Sequence, residues 1–520
     1  MSPKMAQVSP KDGEDHELQN ANPSTMTTDD ESLPLSHTFE EDDRVQSSAF
    51  DLWTEAPKLF RIGVPSVLIQ FALYWIFPVS ASSVGRKLGS VELGGFSLGC
   101  LVGNLTCLSL MEGSLSAADT LMPRAYGSER YEELGRLAIR ATVCGTFLLA
   151  IPVAPLCLYS GAALQYLGQD PEASALAQSW IQVYFLGAAP NLLFRVIMRF
   201  LLSQHKPWPL VFASFVPSIV IHPFLLEYCV SRIGFIGSAL SIAATQWITL
   251  IVLLILLNLV PIHKAETWPG LSLDLIQRSL QCGPIFQFLK LSIGGILSMT
   301  EWWFFELMCF IAGSFGVESL DAHTIAYNLV PLLFMLPLGL SIGLSVRMGN
   351  VIATSPEKAK IMAGWCMAFV ATLGSVISFT LYQERMQVIH MFTTDHDVIR
   401  LASEIWPFLC YYVFLIYIMG ISLAILRALG MQWRAAGIIS ASLYGITLPA
   451  VAYFAIYCGG GLLALWKVLP SCYTILQVAL AMGYLVLDWQ SYSRRVRESI
   501  ARMAANSLRT VPQEETPLLV

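Results

Sequence analysis

The sequence of 520 residues is 55% hydrophobic and only 13% charged, with a mean hydropathy of +0.59. These proportions exclude a soluble enzyme and are typical of a helical protein that crosses a membrane many times. An outer-membrane barrel is excluded too, because its strands alternate polar and apolar residues instead of forming long apolar runs. The eleven cysteines are scattered without a CxxC or Cys/His cluster, so no disulfide framework and no metal site is predicted.

The net charge of −6 comes from the N-terminal segment. Residues 1–50 contain eleven acidic and three basic residues, a charge of −8, which leaves +2 for the remainder. This segment has neither a long apolar run nor the hydrophobic core of a signal peptide. We therefore predict that residues 1–54 form a disordered acidic tail in the cytosol.

Long apolar runs bounded by charged residues, Pro or Gly predict an all-α protein with twelve membrane helices. These helices lie near residues 62–83, 96–118, 138–160, 175–200, 209–230, 237–261, 286–313, 321–346, 361–383, 403–425, 435–457 and 463–488. The predicted organisation is an N-terminal half at 55–261, a cytosolic linker acting as a hinge at 262–285, a C-terminal half at 286–490 and a cytosolic tail at 491–520.

The basic residues orient the helices. If the N-terminus is cytosolic, 25 of the 31 Lys and Arg residues lie in the tails and inner connections, and six lie outside or at outer helix ends. Cytosolic loops are enriched in Lys and Arg, so both termini are predicted to be cytosolic.

The two halves repeat each other. The segment GSVELGGFSLG at 89–99 is similar to GVESLDAHTIA at 316–326. Two further matches have nearly the same offset, about 225 to 228 residues: Gln169-Asp170 with Thr394-Asp395, and Arg199 and Gln204 with Arg427 and Gln432. Two six-helix pseudo-repeats follow, a plan that transporters use to build a site between or within their halves.

The segment EWWFFEL in the seventh predicted helix places two carboxyl groups among apolar residues. Glu301 lies 11 residues after Lys290, about 16 Å along a continuous helix and close to the centre of a hydrocarbon layer about 30 Å thick. An acid at this depth is costly and usually carries function. Glu306 is displaced from Glu301 by about 140° around the helix, so the two carboxyl groups cannot share one narrow face.

With these motifs the chain resembles the multidrug and toxic compound extrusion (MATE) family, in its eukaryotic branch, over nearly all of residues 55–490. The similar stretches are GVPSVLIQ, LGSVEL, SAADTL, AYGSERYEELG, TWPGLSLDLIQ, EWWFFEL, MLPLGLSIGLSVRMGN and FTTD, in the family's order and spacing. The resemblance implies a V-shaped fold of twelve helices and an antiporter that exports organic solutes in exchange for protons or sodium. It also implies that Glu301 and Glu306 bind substrate or protons.

Two positions depart from the family pattern. Members of this branch carry further acids in helices 8 and 10, where this chain has Asn328 and Ile416. Neither side chain takes up a proton, so the usual proton relay of the C-terminal half is incomplete.

Glu112 and His323 are the candidates for replacing the absent acids. Glu112 lies seven residues before Asp119, which places it about 10 Å inside the membrane. It is either a second proton site or a carboxyl group paired with a backbone group or with Asn104. A histidine changes charge near neutral pH, so His323 either relays protons to the acids of helix 7 or bonds to Ser319 one turn earlier.

Aromatic and polar side chains complete the predicted site. Trp302 and Trp303 either present their rings to an organic cation or pack between helices. The uncharged groups that either line a cavity or join helices are Gln70, Asn104, Tyr327 and Asn328. The residues that we expect to anchor loops at lipid headgroups are Arg124, Arg136, Arg199, Arg347 and Arg427.

The chain ends in EETPLLV, in which Glu514, Leu518 and Leu519 have the spacing of an acidic dileucine sorting signal. Sorting adaptors that read such a signal direct a membrane protein to a vacuole or lysosome. Without such sorting, the plasma membrane is the expected location.

The sequence thus predicts a monomeric, proton-coupled antiporter that exports organic cations, drugs or amphipathic metabolites by alternating access. Sodium is the alternative coupling ion, no cofactor is expected, and the partners are a small organic substrate and the lipid bilayer. Two alternatives stay open: a flippase for lipid-linked substrates from the same superfamily, and a non-transporting receptor or scaffold that kept the fold. No P-loop, nucleophile–base pair or nucleic-acid motif is found, so neither an enzyme nor a nucleic-acid partner is expected.

Overall fold

The computed structural model describes residues 52–268, 270, 272–392 and 395–498, and these residues contain helices and no strand. Twelve helices are long and apolar enough to cross a membrane, at the predicted places. They are α1 (Leu52–Lys87), α2 (Val91–Gly127), α3 (Tyr131–Tyr166), α4 (Pro171–Ser203), α5 (Trp208–Ile233), α6 (Ile236–Leu259), α7 (Cys282–Gly313), α8 (Val317–Val351), α9 (Pro356–Gln383), α10 (His396–Ala428), α11 (Gln432–Tyr457) and α12 (Gly461–Leu485).

The internal repeat predicted from the sequence recurs in backbone geometry. Gly89 before α2 and Gly316 before α8 have φ angles of 127° and 111°, a region that only glycine adopts readily. Asp170 and Asp395 each cap the following helix, α4 or α10, by accepting hydrogen bonds from two backbone N–H groups. Both pairs keep the spacing seen in the sequence, so equivalent helices begin in the same way.

Helices α5 and α11 also share an irregular turn. A π-helical turn occupies Val216–Ile221 in α5 and Leu443–Thr447 in α11. Proline lies in the first of these turns and two residues after the second, as Pro217 and Pro449. Proline cannot donate a backbone hydrogen bond, and a widened turn is one way for a helix to accommodate it. The six-helix pseudo-repeat is therefore visible in both halves.

Each half packs around an apolar core. One buried cluster is drawn mainly from α1 to α6 and includes Trp180, whose ring makes an edge contact with Phe96 at 5.4 Å between centroids. The other is drawn mainly from α8 to α12 and includes Trp406 and Trp466, both almost fully buried. Two cores of this kind allow each half to move largely as a unit.

The halves meet where glycines let helix backbones touch. A Cβ placed on Gly295 of α7 would lie 1.8 Å from Ser116 Oγ of α2, and one on Gly113 would lie 2.4 Å from the Cα of Ile296. Small residues at such crossings replace the hydrophobic driving force that is absent between helices in lipid. The α2–α7 contact therefore depends on glycine at these positions.

Replacing Gly295 by Ala is expected to destabilise the protein by about 1–3 kcal/mol, the usual cost of inserting a methyl group into a packed contact. The matched control is Gly364→Ala in α9, where an added Cβ meets no atom within 4 Å. Thermal unfolding of both variants in detergent checks the prediction. Equal unfolding temperatures for the two variants would contradict the tight contact.

The predicted hinge at 262–285 is only partly a free connection. Arg140 of α3 donates from Nε to the carbonyl oxygen of Ser279 at 2.8 Å, and Gln204 Oε1 accepts from the backbone N–H of Lys264 at 3.1 Å. The linker also contains a short helix, Leu273–Ser279, and α7 begins at Cys282. The linker is thus bound to the N-terminal half as far as Ser279.

Candidate functional site

The two acids of EWWFFEL lie in the second part of α7. This helix is interrupted at Met299, with Cys282–Ser298 before the break and Thr300–Gly313 after it. The expectation of one continuous helix up to Glu301 is therefore wrong, because Glu301 lies in the first turn of a new segment. A break inside a membrane needs other partners for its backbone groups, and Tyr444 donates to the carbonyl oxygen of Thr300 at 3.0 Å.

Glu301 faces a buried tyrosine pair. Its Oε1 accepts a hydrogen bond from the hydroxyl group of Tyr473 in α12 at 3.5 Å. Tyr473 is fully buried, and its ring lies 4.8 Å from that of Tyr412 in α10. In the described part of the chain no basic side chain pairs with Glu301. Its carboxyl group can therefore hold a proton or bind a cation without first releasing a salt-bridge partner.

Glu306 is held separately, on another side of α7. The hydroxyl group of Tyr327 in α8 donates to Glu306 Oε1 at 2.5 Å. The ring of Phe305 stacks between those of Tyr327 and Tyr412, at centroid distances of 5.7 and 5.8 Å. The two acids thus bind partners on different helices, as their angular separation predicts. Their roles in transport stay predictions.

Trp303 joins the two halves. Its indole N–H lies 3.1 Å from the carbonyl oxygen of Leu105 and 3.2 Å from Ser109 Oγ, both in α2. Leu105 belongs to a π-helical turn, Asn104–Leu108, which leaves its carbonyl available to an outside donor. Trp303 therefore has a packing role in this conformation, and contact of Trp302 or Trp303 with a ligand stays a prediction.

The uncharged polar residues of the predicted cavity lie in different settings. Gln70 in α1 is buried, and Asn104 opens the π-helical turn of α2. The apolar Ile416, at the position of the absent acid in α10, is buried in the C-terminal core. The side chain of Asn328 lies outside the described side chains. Their role in lining a cavity stays a prediction.

A small cavity lies in the N-terminal half. Its volume is about 20 Å³, room for about one water molecule. The polar side chains in its wall are Tyr184, Asn191, Arg195, Ser218, Thr245, Gln246 and Thr249. The cavity is too small for an organic substrate in this conformation.

Glu112 belongs to a buried network of charges. It forms ion pairs with Arg195 and with Arg199, the second at 2.7 Å, and Arg199 also pairs with Asp119 at 2.9 Å. Arg427 of α10 approaches the same Asp119 at 3.9 Å. Of the alternatives given for Glu112, pairing with Asn104 is therefore wrong. A role of Glu112 as a second proton site stays a prediction.

The expectation that Arg199 and Arg427 anchor loops at lipid headgroups is wrong too. Both side chains turn into the protein, and Arg199 is only 6% exposed. Arg195, which sequence analysis missed, lies one turn before Arg199 and shares its face of α4. Glu112 and Asp119 lie two turns apart and so share one face of α2. The two matching faces, one acidic and one basic, are the sequence signal that would have indicated ion pairs between α2 and α4.

Hydrogen bonds also join the two halves at the C-terminal ends of α2 and α10. Thr120 of α2 donates to the carbonyl oxygen of Arg427 at 2.6 Å, and Arg124 donates to that of Ala428 at 2.6 Å. Gln432 of α11 donates to Thr120 Oγ1 at 2.7 Å. These bonds join α2 of one half to α10 and α11 of the other. They must break for this end to open.

The start of the predicted C-terminal tail contributes to the same closure. Residues 489–498 are helical, not extended, and Ser493 is fully buried with its hydroxyl group bonded to the carbonyl oxygen of Ile352 at 2.8 Å. Tyr492 bonds to the carbonyl oxygen of Leu429 and accepts from Arg124 at 3.0 Å. The tail boundary predicted at 491 therefore lies inside the folded part.

The loop between α4 and α5 makes another contact between the halves. His205 Nε2 lies 2.8 Å from Asn350 Nδ2 of α8. Burial, reinforced by the guanidinium groups of Arg347 and Arg61, lowers the pKa of His205 to about 4. The neutral imidazole therefore accepts the hydrogen bond from Asn350.

Acidification is expected to weaken this contact. An unfolded histidine has a pKa of about 6.5, so between that pH and the folded pKa of about 4 the unfolded chain binds more protons. The stabilisation that depends on neutral His205 is complete above pH about 6.5 and is lost as pH falls toward about 4, by about 3 kcal/mol in total. The difference in unfolding temperature between the wild type and His205→Gln should shrink from pH about 7 to about 4. A difference independent of pH would contradict it.

His323 lies in α8 with no bond to Ser319. It is fully buried, and neither ring nitrogen has a hydrogen-bond partner among the described residues. Its ring lies between Phe305 of α7 and Trp466 of α12, at centroid distances of 6.3 and 5.6 Å.

The predicted sorting residues Glu514, Leu518 and Leu519 lie outside the described residues.

Comparison with known families identifies the fold. The MatE family model matches residues 65–226 and 295–453, one segment in each half and together more than half of the chain. The chain belongs to the MATE family. The predicted family resemblance is therefore confirmed, and this MATE chain is a transport protein, not an enzyme.

Relatives of this MATE protein include Multidrug and toxin extrusion protein 1 of Homo sapiens, which is 28% identical over 443 residues, or 84% of this chain and 75% of that protein. Multidrug and toxin extrusion protein 2 of Oryctolagus cuniculus is 28% identical over 442 residues, or 84% of this chain and 72% of that protein.

Solved structures match as well. The crystal structure of the eukaryotic MATE transporter AtDTX14 matches with a TM-score of 0.80 at 21% identity, over 86% of this chain and 99% of that one. The Vibrio cholerae MATE transporter VcmN in its bent form matches with a TM-score of 0.71 at 16% identity, over 85% and 97%. The predicted V-shaped, twelve-helix MATE fold of a multi-pass membrane protein is thus confirmed.

Proposed function

We propose that this MATE protein exchanges organic cations and related amphipathic compounds for protons, and so extrudes them from the cytosol. Its relatives are multidrug and toxin extrusion proteins, which supports extrusion of small organic compounds as the function. Coupling to protons rests on the chemistry of the C-terminal half.

The observation that carries the proposal is the setting of Glu301. Its carboxyl group lies at a break in α7, faces the hydroxyl group of Tyr473 and has no basic partner in the described residues. A proton and an organic cation compete for such a group, because each neutralises it. Protonation from one side releases the cation, and deprotonation on the other side restores the binding site.

The distribution of charge favours a cationic substrate. The acids Glu301 and Glu306 lie among aromatic rings in the C-terminal half, whereas the buried arginines of α4 pair with Glu112 and Asp119 in the N-terminal half. Aromatic faces beside carboxylates attract quaternary and protonated amines. An anion would meet repulsion at the same place.

The two halves would alternate by opening and closing their contacts. The bonds from Thr120, Arg124 and Asp119 of α2 to the end of α10 close one face of the protein. We assign this face to the cytosol from the distribution of Lys and Arg. The conformation described here is then closed toward the cytosol, and both termini lie on that side.

The membrane and the partners belong to the same proposal. The predicted sorting signal at the C-terminus assigns the protein to a vacuolar or lysosomal membrane, where it would load an acidic lumen. It would act there as a monomer, with the bilayer, the substrate and sorting adaptors as its partners.

The test is uptake of tetraethylammonium into vesicles that contain the purified full chain. This probe is a permanent cation, so it cannot carry the proton itself. A proton gradient, acidic inside, is expected to drive accumulation, and a sodium gradient of the same size is not. Accumulation driven by sodium alone, or by neither gradient, would refute proton coupling.

A further inference from the structure

His323 is a buried histidine whose polar atoms have no hydrogen-bond partner in the described part of the chain. Leaving a buried polar group without a partner is unfavourable, because the desolvation of the group is not compensated. A side chain of similar shape without the two nitrogens would avoid this cost. An unsatisfied group of this kind calls for a role in function or for solvent contact.

A series of rings leads from His323 toward Glu301. Beside His323 lies Trp466, which is also fully buried and whose indole nitrogen has no partner among the described residues. The Tyr412 ring lies 6.1 Å from that of Trp466 and 4.8 Å from that of Tyr473. Tyr473 in turn donates to Glu301. Polar atoms that can accept or pass on a proton thus occur at both ends of the series.

The depths of these residues place His323 between Glu301 and one membrane surface. Counted from the first residues of α8 and α12, His323 lies about 9 Å and Trp466 about 8 Å along their helices. Tyr473, the partner of Glu301, lies about 18 Å along α12. Both helices begin at the face opposite the one that α2 and α10 close, which is the outer face in our assignment.

Among the described residues, no salt bridge fixes the charge of His323. The rings that contact it are Phe305 and Trp466, and neither is charged. The titratable side chains on the packed elements that face this interior are Tyr327, Glu301, Glu306, Tyr412 and Tyr473. No basic side chain competes there for a proton among the described residues. A proton that reaches His323 therefore has the two carboxylates as its acceptors.

We propose that His323 is the residue through which protons from the outer face reach Glu301, inside the C-terminal half. One ring nitrogen binds a proton from the outer aqueous phase, and the other releases its own proton toward Tyr412, Tyr473 and Glu301. The histidine ends as the other neutral tautomer, and the carboxylate becomes a carboxylic acid. This route takes the place of the acids absent at Asn328 and Ile416, and it rests on the proposed function.

The test compares His323→Gln with the wild type in the tetraethylammonium assay. We expect the maximal rate of uptake driven by the proton gradient to fall on the order of a hundredfold, as when a positioned proton-transfer group is removed. The concentration for half-maximal uptake and the equilibrium affinity should change less than about twofold. In His323→Ala, added imidazole should restore uptake, because it supplies the missing proton carrier.

The control is His390→Ala, which removes an exposed histidine and should leave uptake unchanged with or without imidazole. Wild-type uptake by His323→Gln, or loss of equilibrium affinity in it, would overturn the proposal. Absence of rescue in His323→Ala would overturn it as well. If wild-type uptake does not depend on the proton gradient, the proposed function is wrong. This outcome differs from one in which wild-type uptake depends on the gradient and only the His323 route is wrong.

Discussion

Replacing Glu301 by Gln is expected to reduce proton-driven uptake of tetraethylammonium at least about a hundredfold. Gln keeps the size of the side chain and can still accept a hydrogen bond from Tyr473. It cannot take up a proton or present a negative charge, so the competition at the centre of the exchange is lost. Uptake into vesicles under a fixed proton gradient measures the effect.

Two further variants make this result specific. Glu306→Gln should reduce uptake less, because Glu306 is bound by Tyr327 away from the Glu301 pair. Glu318→Gln removes an exposed acid at the start of α8 and should leave uptake unchanged. If Glu301→Gln transports as fast as Glu318→Gln, Glu301 is not the proton carrier.

Replacing Arg199 by Met is expected to cause the largest loss of stability, about 3–5 kcal/mol. The buried Arg199 pairs with Glu112 and Asp119, and its removal leaves two partly buried carboxylates with fewer partners. Such a loss would lower the unfolding temperature and the yield of folded protein. Thermal unfolding in detergent measures it.

An exposed pair supplies the control for Arg199. Arg400 lies 3.6 Å from Asp397, with both side chains more than two-thirds exposed, and Arg400→Met should cost less than about 1 kcal/mol. Adding Asp119→Asn to Arg199→Met should recover part of the stability, since the uncompensated charge is removed. Equal costs for the Arg199 and Arg400 variants would show that the network does not stabilise the fold.

The fold could be predicted from the sequence because lipid imposes strong rules. Twelve apolar runs had to form twelve helices, and the paired residues around Gly89 and Gly316 exposed the repeat. The Met299 break was missed, because no proline lies near it and the nearest glycine, Gly295, lies four residues before it. The contacts of the linker and of residues 491–498 were missed as well, since both segments are polar and are held by single residues, such as Ser279 and Ser493, that contact distant helices.

The candidate site was predicted in part. Glu301 stood out because an acid in an apolar run is costly wherever the helix lies. Its partner Tyr473 is separated from it by 172 residues, and no local pattern connects two such positions. The buried arginines were misread because long basic side chains near helix ends usually reach toward headgroups, and here acids on α2 hold Arg199 inside instead.

The central claim is that a proton and the substrate compete for Glu301. It is tested most directly by measuring the protons released when tetraethylammonium binds to the purified protein in a weakly buffered solution. The wild type should release protons on binding near neutral pH, and Glu301→Gln should release none. Equal release by both proteins, or binding by the wild type without any release, would contradict the account.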